Sequence, residues 1–367
     1  MHLYLHIPFC ARRCSYCDFA IAVRREVPSA RFADAVLGEW RRWFNDPRWA
    51  GFSQLATLYL GGGTPSRLDP EQVARLLAAL TATRPLAPGA EVTLEANPED
   101  VTPAAARAWR AAGINRVSLG VQSFEPSVLQ WMHRTHDAQQ PAQAVATLRG
   151  EGIERISLDL IYALPPEVPR VWSRDLDRAL ALAPDHLSLY GLTIERHTPL
   201  SQWVTRREAH PATEERYAEE FLYAHERLTG AGFRHYEVSN YAQPGREAAH
   251  NSAYWTRSPY LGLGPSAHSG LGRERWWNVR EYAAWVEAMD QGVSTVAGQE
   301  TLDDGALRLE SLYLGLRTDT GLAAEQIPDT ARLAWVREGW ATIQSGRLRL
   351  TAEGWLRLDA LVAQAAG

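Results

Sequence analysis

The stretch His6-Ile7-Pro8-Phe9-Cys10-Ala11-Arg12-Arg13-Cys14-Ser15-Tyr16-Cys17-Asp18-Phe19 holds every cysteine of a 367-residue chain. The residues before it, His2–His6, read as a strand that runs straight into the cysteines. A disulfide framework prefers an even number of cysteines spread along the chain. Three thiols within eight positions instead point to a reducing compartment and to metal. Soft thiolates at CxxxCxxC spacing suit one compact iron–sulfur cluster and suit zinc as well. A [4Fe–4S] cube on three protein ligands leaves one iron open to a small molecule. Structural zinc takes four protein ligands; His6 is the candidate for the fourth, because no second cysteine pair exists.

Outward from this loop the pattern alternates. Strands are expected at Leu55–Leu60, Glu91–Glu95, Val117–Val121, Arg155–Ile161 and His186–Leu192. Helices are expected at Arg31–Phe44, from Pro70 with Val73, Leu76, Leu77 and Leu80 on one face, from Thr102-Pro103 to Gly113, and at Ala138–Arg149 and Val168–Leu182. Six β–α steps with apolar strands imply a parallel sheet. No GxGxxG follows the first strand, so an α/β partial (β/α)6 barrel fits better than a dinucleotide fold. Polar clusters follow the strand ends, the edge where such folds gather cofactors.

A helix at Thr213–Leu228 and strand character at Phe233–Ser239 come next. Tyr241–Gly270, rich in Gly, Pro and aromatics, reads as an ordered loop region. Arg280–Met289 is helical, and a short strand at Leu348–Thr351 precedes a helix at Ala352–Val362. The expected division is residues 1–270 for the barrel and its extension, and 271–367 for a linker and a small helical or winged-helix-like domain.

Composition bounds the function. Apolar residues make up 46% and charged residues 22%, which supports a packed core. The formal net charge is −5, so no basic surface argues for nucleic acid. All positive side chains are arginines, whose rigid fork suits carboxylates. No apolar run approaches the roughly 20 residues that span a bilayer. The expected location is the cytoplasm, with transient contact at a membrane surface. The fourteen tryptophans are expected mostly in the core, with some free to line an aromatic ligand pocket.

The cysteine loop resembles that of the radical S-adenosylmethionine family. LYLGGGTPS, VTLEANPE, RVSLGVQSF, ISLDLIYALP, HLSLYGLTIE, YEVSNYAQPG, HNSAYW and YLGLGPSAHS follow in order. From Tyr4 to Ser269 the chain resembles the HemW branch of the oxygen-independent coproporphyrinogen III oxidase-like proteins. The resemblance implies a [4Fe–4S] cluster on Cys10, Cys14 and Cys17 with S-adenosylmethionine chelating the open iron. It implies that Tyr4 and Tyr16 contact that cofactor. Gly62, Gly63 and Thr64 then approach its amino-acid part. Glu95 holds its ammonium or a ribose hydroxyl, Gln122 and Asp159 the ribose, and Arg134 the carboxylate.

The catalytic relatives carry a further cysteine where this chain has Phe19. That position and HNSAYW favour the haem-chaperone branch, whose members deliver haem b to respiratory apo-proteins. His250, Asn251, Tyr254 and Trp255 are the implied haem residues, with His268 as another iron ligand and Arg246 or Arg257 for the propionates. No CxxCH motif exists for covalent attachment. His133, Ala163 and Ser266 stand where relatives have glycine, so local shifts of those loops are expected. The alternatives are coproporphyrinogen III oxidative decarboxylation, radical chemistry on another small molecule, and a zinc-bound interaction protein.

Overall fold

The computed structural model describes residues 1–366. Six parallel strands form its centre: β1 (His2–Ile7), β2 (Leu55–Gly62), β3 (Leu86–Ala96), β4 (Arg116–Gln122), β5 (Arg155–Tyr162) and β6 (His186–Gly191). They lie side by side in chain order within one 12-stranded sheet. The sheet curves into a partial barrel, as the alternating pattern implies. Helices on its outer face close the crossovers, which parallel pairing requires.

The helix Pro70–Thr83 shows how directly sequence sets these elements. Asp69 accepts from the Glu71 amide at 3.0 Å, and Pro70 occupies the first helical position. Its buried face is Val73, Leu76, Leu77 and Leu80, the four residues that helical spacing predicts. Eight of the fourteen tryptophans are buried, so the tryptophan excess is mainly packing.

Three expectations change after residue 240. The presumed loop contains the helix Ala249–Trp255 and the strands Tyr260–Leu263 and His268–Leu271. Tyr260–Leu263 pairs in parallel with β1, so it sits inside the sheet. Its glycines disguise it, yet Gly262 is required there: a Cβ would come 2.3 Å from the His268 carbonyl oxygen. The expected linker after residue 270 also belongs to the sheet, through Glu274–Asn278 and Val296–Thr301. The small terminal unit begins with the helix Asp304–Leu316. It contains a three-stranded antiparallel sheet of Leu322–Ala323, Arg347–Leu350 and Ala341–Gln344. The helix foreseen at 352–362 is two helices, Ala352–Trp355 and Leu358–Ala366. No described helix is long and apolar enough to cross a membrane.

Candidate functional site

The cysteine loop leaves β1 at the C-terminal edge of the sheet. Backbone bonds fasten it: the Ala22 amide donates to the Pro8 carbonyl at 2.7 Å and the Arg24 amide to the Cys10 carbonyl at 3.0 Å. On its far side, the Leu200 amide donates to the Ser15 carbonyl at 2.8 Å. A cavity of about 340 Å³ opens beside this loop. Its walls include Cys10, Cys14 and Cys17, together with Tyr16, Gly62, Gly63, Thr64, Glu95, Gln122, Arg134 and Asp159. With Tyr190 and Glu195 also in the lining, residues up to 185 positions apart in the chain meet at one edge, because six successive strands end there.

The thiols suit an electrophilic metal centre. Burial pushes the Cys17 thiol up to about 12 and raises Cys10 as well, so both need a cation to displace their protons. Thr64 Oγ1 donates to Cys10 Sγ at 3.4 Å, and Arg134 Nη1 donates to Cys14 Sγ at 3.7 Å. Gly63 fits as only glycine can, since a Cβ would lie 2.7 Å from the Pro8 carbonyl and 3.0 Å from Cys10 Sγ. Among the described residues, no group of three or more His, Cys, Asp or Glu is drawn together for a single metal ion. His6, the fourth zinc ligand considered from sequence, has both ring nitrogens engaged. Nε2 meets the Ala20 carbonyl at 2.9 Å and Nδ1 meets the Tyr4 hydroxyl at 3.1 Å.

The polar wall is organised around two anchors. Glu95 accepts from the Tyr59 hydroxyl at 2.7 Å and from the Gly62 amide at 3.0 Å. Burial nevertheless pushes its carboxyl up to about 7, with the Asp159 charge adding to the rise. Arg134 Nη2 donates to Asn97 Oδ1 at 2.6 Å and to the Gly120 carbonyl at 2.7 Å, while its buried Nε has no partner. Asp159 accepts from Ser118 Oγ at 3.0 Å, and burial raises its carboxyl. Gln122 takes a left-handed backbone, φ 65°, which turns the chain at the end of β4. An unpartnered guanidinium nitrogen, half-buried carboxyls and three thiols in one cavity fit a zwitterionic cofactor beside a metal cluster.

Other expected residues lie elsewhere. Tyr4 is in the middle of β1 and outside the cavity lining, its ring packed near Tyr59 and His250. His250, on the helix Ala249–Trp255, is buried at the opposite, starting ends of the strands. Its Nδ1 meets Thr57 Oγ1 at 2.6 Å and its Nε2 meets the Tyr254 hydroxyl at 2.8 Å. Trp255 faces a separate crevice with Arg257, and Arg317 lies over its ring at 4.4 Å. His268 is exposed and stacks on Trp277. Arg246 lies 3.5 Å from Asp185, and Arg257 pairs with Glu310 at 2.5 Å. Tyr59, Asn97, Ser118 and Tyr190 were not foreseen. Period-2 alternation from Gly61 is the signal that places Tyr59 on the inner face.

A model of the Radical SAM superfamily matches residues 4–179. The heme chaperone HemW of Mycobacterium tuberculosis (strain ATCC 25618 / H37Rv) is 38% identical over 371 residues, covering 98% of this chain and 93% of the relative. The chain belongs to the HemW family of radical SAM proteins. A heme chaperone HemW from Synechocystis sp. (strain ATCC 27184 / PCC 6803 / Kazusa) is 37% identical, covering 89% of this chain and 80% of its own. The solved coproporphyrinogen III oxidase (HemN) of Escherichia coli, a radical SAM enzyme, superposes with a TM-score of 0.81 at 22% identity, covering 100% of this chain and 89% of that one. That likeness shows the fold alone. HemW membership agrees with the long motif series, and it leaves Phe19 lining the cavity with the three cysteines.

Proposed function

We propose that this HemW-family chain is a haem chaperone, with a [4Fe–4S] cluster on Cys10, Cys14 and Cys17 and S-adenosylmethionine in the adjoining cavity. The single supporting observation for the cargo is 38% identity, over nearly the whole chain, to a protein named as a heme chaperone. Support for the cofactors comes from the convergence of three thiols with Glu95, Gln122, Arg134 and Asp159 around one cavity.

When bound, the cluster supplies one electron and an open iron site. Arg134 and Glu95 stand at fixed positions to meet the carboxylate and ammonium of the cofactor's amino-acid end, the ammonium favouring the ionised form of Glu95. Gly62 and Gly63 let the backbone come close, and Thr64 steadies the Cys10 sulfur. Asp159 and Gln122 receive the ribose hydroxyls, and Tyr16 borders the adenine. Tyr4 acts one layer below, as a support for Tyr59 and His6.

Haem b is bound reversibly by the segment carrying His250, Asn251, Tyr254 and Trp255, with His268 as the alternative iron ligand. The cargo passes to respiratory apo-proteins, with the chaperone in the cytoplasm and in transient contact with the membrane surface. Anaerobic reconstitution followed by haem titration tests this reading, with coproporphyrinogen III turnover measured on the same sample. Saturable haem uptake without turnover supports it. Conversion to protoporphyrinogen IX without specific haem uptake replaces it with oxidative decarboxylation.

A further inference from the structure

His250 is 1% exposed, and neither ring nitrogen is free. The helix that carries it plugs the starting end of the barrel. Glu91, on β3, accepts from the amides of Ala249 at 3.1 Å and His250 at 3.0 Å, and so caps that helix. Arg155 lies 3.2 Å and Arg116 3.9 Å from the same carboxylate. Gly245 at φ 78° and Arg257 at φ 56° bracket the segment, giving a left-handed residue on each side.

The plug is joined to the cluster cavity. His250 stacks on Tyr59, with ring centroids 4.9 Å apart. The Tyr59 hydroxyl donates to Glu95, which lines the cavity. Thr57 and Tyr59 both belong to β2, while Glu91 and Glu95 both belong to β3. Strand periodicity puts each pair on one inner face. A single polar column therefore runs from Glu95 through Tyr59 to His250, Thr57 and Glu91.

We propose that the Ala249–Trp255 helix is a latch that withholds His250 from haem iron, and that an occupied cluster cavity tightens the latch through Glu95 and Tyr59. This rests on the reading of His250 as a haem ligand. Iron can reach the imidazole only after the Thr57 or Tyr254 bond is released and the helix leaves the floor. A cation held by Glu95 fixes the carboxylate in its charged form and strengthens the bond from Tyr59. Tyr59 then holds its stack on His250 more firmly. Linkage makes the coupling reciprocal, so haem weakens cofactor binding by the factor with which the cofactor weakens haem binding. Thr57, Tyr59 and Glu91 are positioning residues in this scheme.

The test is haem titration of the full, anaerobically reconstituted chain, with and without saturating S-adenosylmethionine. Thr57→Val removes the His250 Nδ1 partner and should raise haem affinity about threefold to tenfold, the range set by one net hydrogen bond. Thr57→Ser should restore the original affinity. Glu91→Gln, which weakens the cap on the Ala249–Trp255 helix instead, keeps the test alive should Thr57→Val fail to fold, and should act in the same direction. S-adenosylmethionine should weaken haem binding severalfold in the unaltered chain and have no effect in Tyr59→Phe. Unchanged haem affinity in both Thr57→Val and Glu91→Gln, or equal cofactor effects in Tyr59→Phe and the unaltered chain, overturns the latch. An absence of haem binding in every sample overturns the chaperone reading itself. An unaltered iron-ligand spectrum in His250→Ala removes His250 as the ligand and the latch with it.

Discussion

Arg134 and Cys14 meet at 3.7 Å, guanidinium against sulfur, at the boundary between the thiol loop and the polar wall of the cavity. Two shorter bonds, to Asn97 and the Gly120 carbonyl, hold the guanidinium in that position. Arg134 thus ties the thiol loop to the polar wall, and under the proposed function it serves both the cluster and its small-molecule chelator. Replacement by methionine removes a charge-assisted contact and strands Asn97. S-adenosylmethionine affinity should fall by about tenfold to a hundredfold. The cluster should persist, because none of the three thiol ligands is touched. Equilibrium binding beside the visible absorption of the cluster checks both statements.

Glu95 gives a pH dependence with a defined sign. Its ordinary value of 4.5 is raised to about 7 by burial, so between these values the folded chain binds more protons than the unfolded one. The Glu95 contribution to stability is therefore greatest below pH 4.5 and declines as pH rises through 7, by roughly 3 kcal/mol in all. Glu95→Gln should flatten this decline in the apo-protein and raise its stability at pH 8. It should also weaken cofactor binding. Urea unfolding at pH 5 and pH 8 provides the measurement.

Removing the cluster should leave an inert thiol. Burial holds Cys17 at about 12. At pH 8 its alkylation should be about a thousandfold slower than that of a free cysteine, because only the thiolate attacks. Timed alkylation of the apo-protein, followed by peptide mass analysis, measures this directly. Reactivity like that of a free thiol would show that the loop opens when the cluster leaves.

Three non-glycine residues hold left-handed backbone at positions where the family resemblance implies glycine: His133 at φ 59°, Ala163 at φ 55° and Ser266 at φ 60°. The loops keep the conformation that glycine favours and take on strain, in place of the expected local shift. His133→Gly, Ala163→Gly and Ser266→Gly should each stabilise the chain by about 1 kcal/mol, the left-handed penalty less the added freedom of the unfolded chain. Urea midpoints for the three variants check it.

The barrel half of the fold was readable because each strand and helix carried its own period. Pro70 opened its helix, and Val73, Leu76, Leu77 and Leu80 marked the buried face. Glu95, Gln122 and Asp159 lie at or near strand ends, which converge in a parallel sheet, whereas Arg134 follows the short helix Pro126–Trp131 and was legible only through the family resemblance. Tyr260–Leu263 was not, because Gly262 serves a close approach by His268 that no local pattern reveals. The burial of His250 was also hidden. Its partners Thr57 and Glu91 lie 193 and 159 residues away, and only barrel closure brings them together.

The cluster is the central claim, and metal and sulfide analysis of the anaerobically purified and reconstituted chain tests it most directly. About four iron and four acid-labile sulfide per chain, lost in Cys10→Ser, Cys14→Ser and Cys17→Ser, is the expected result. One zinc per chain with no sulfide would contradict it.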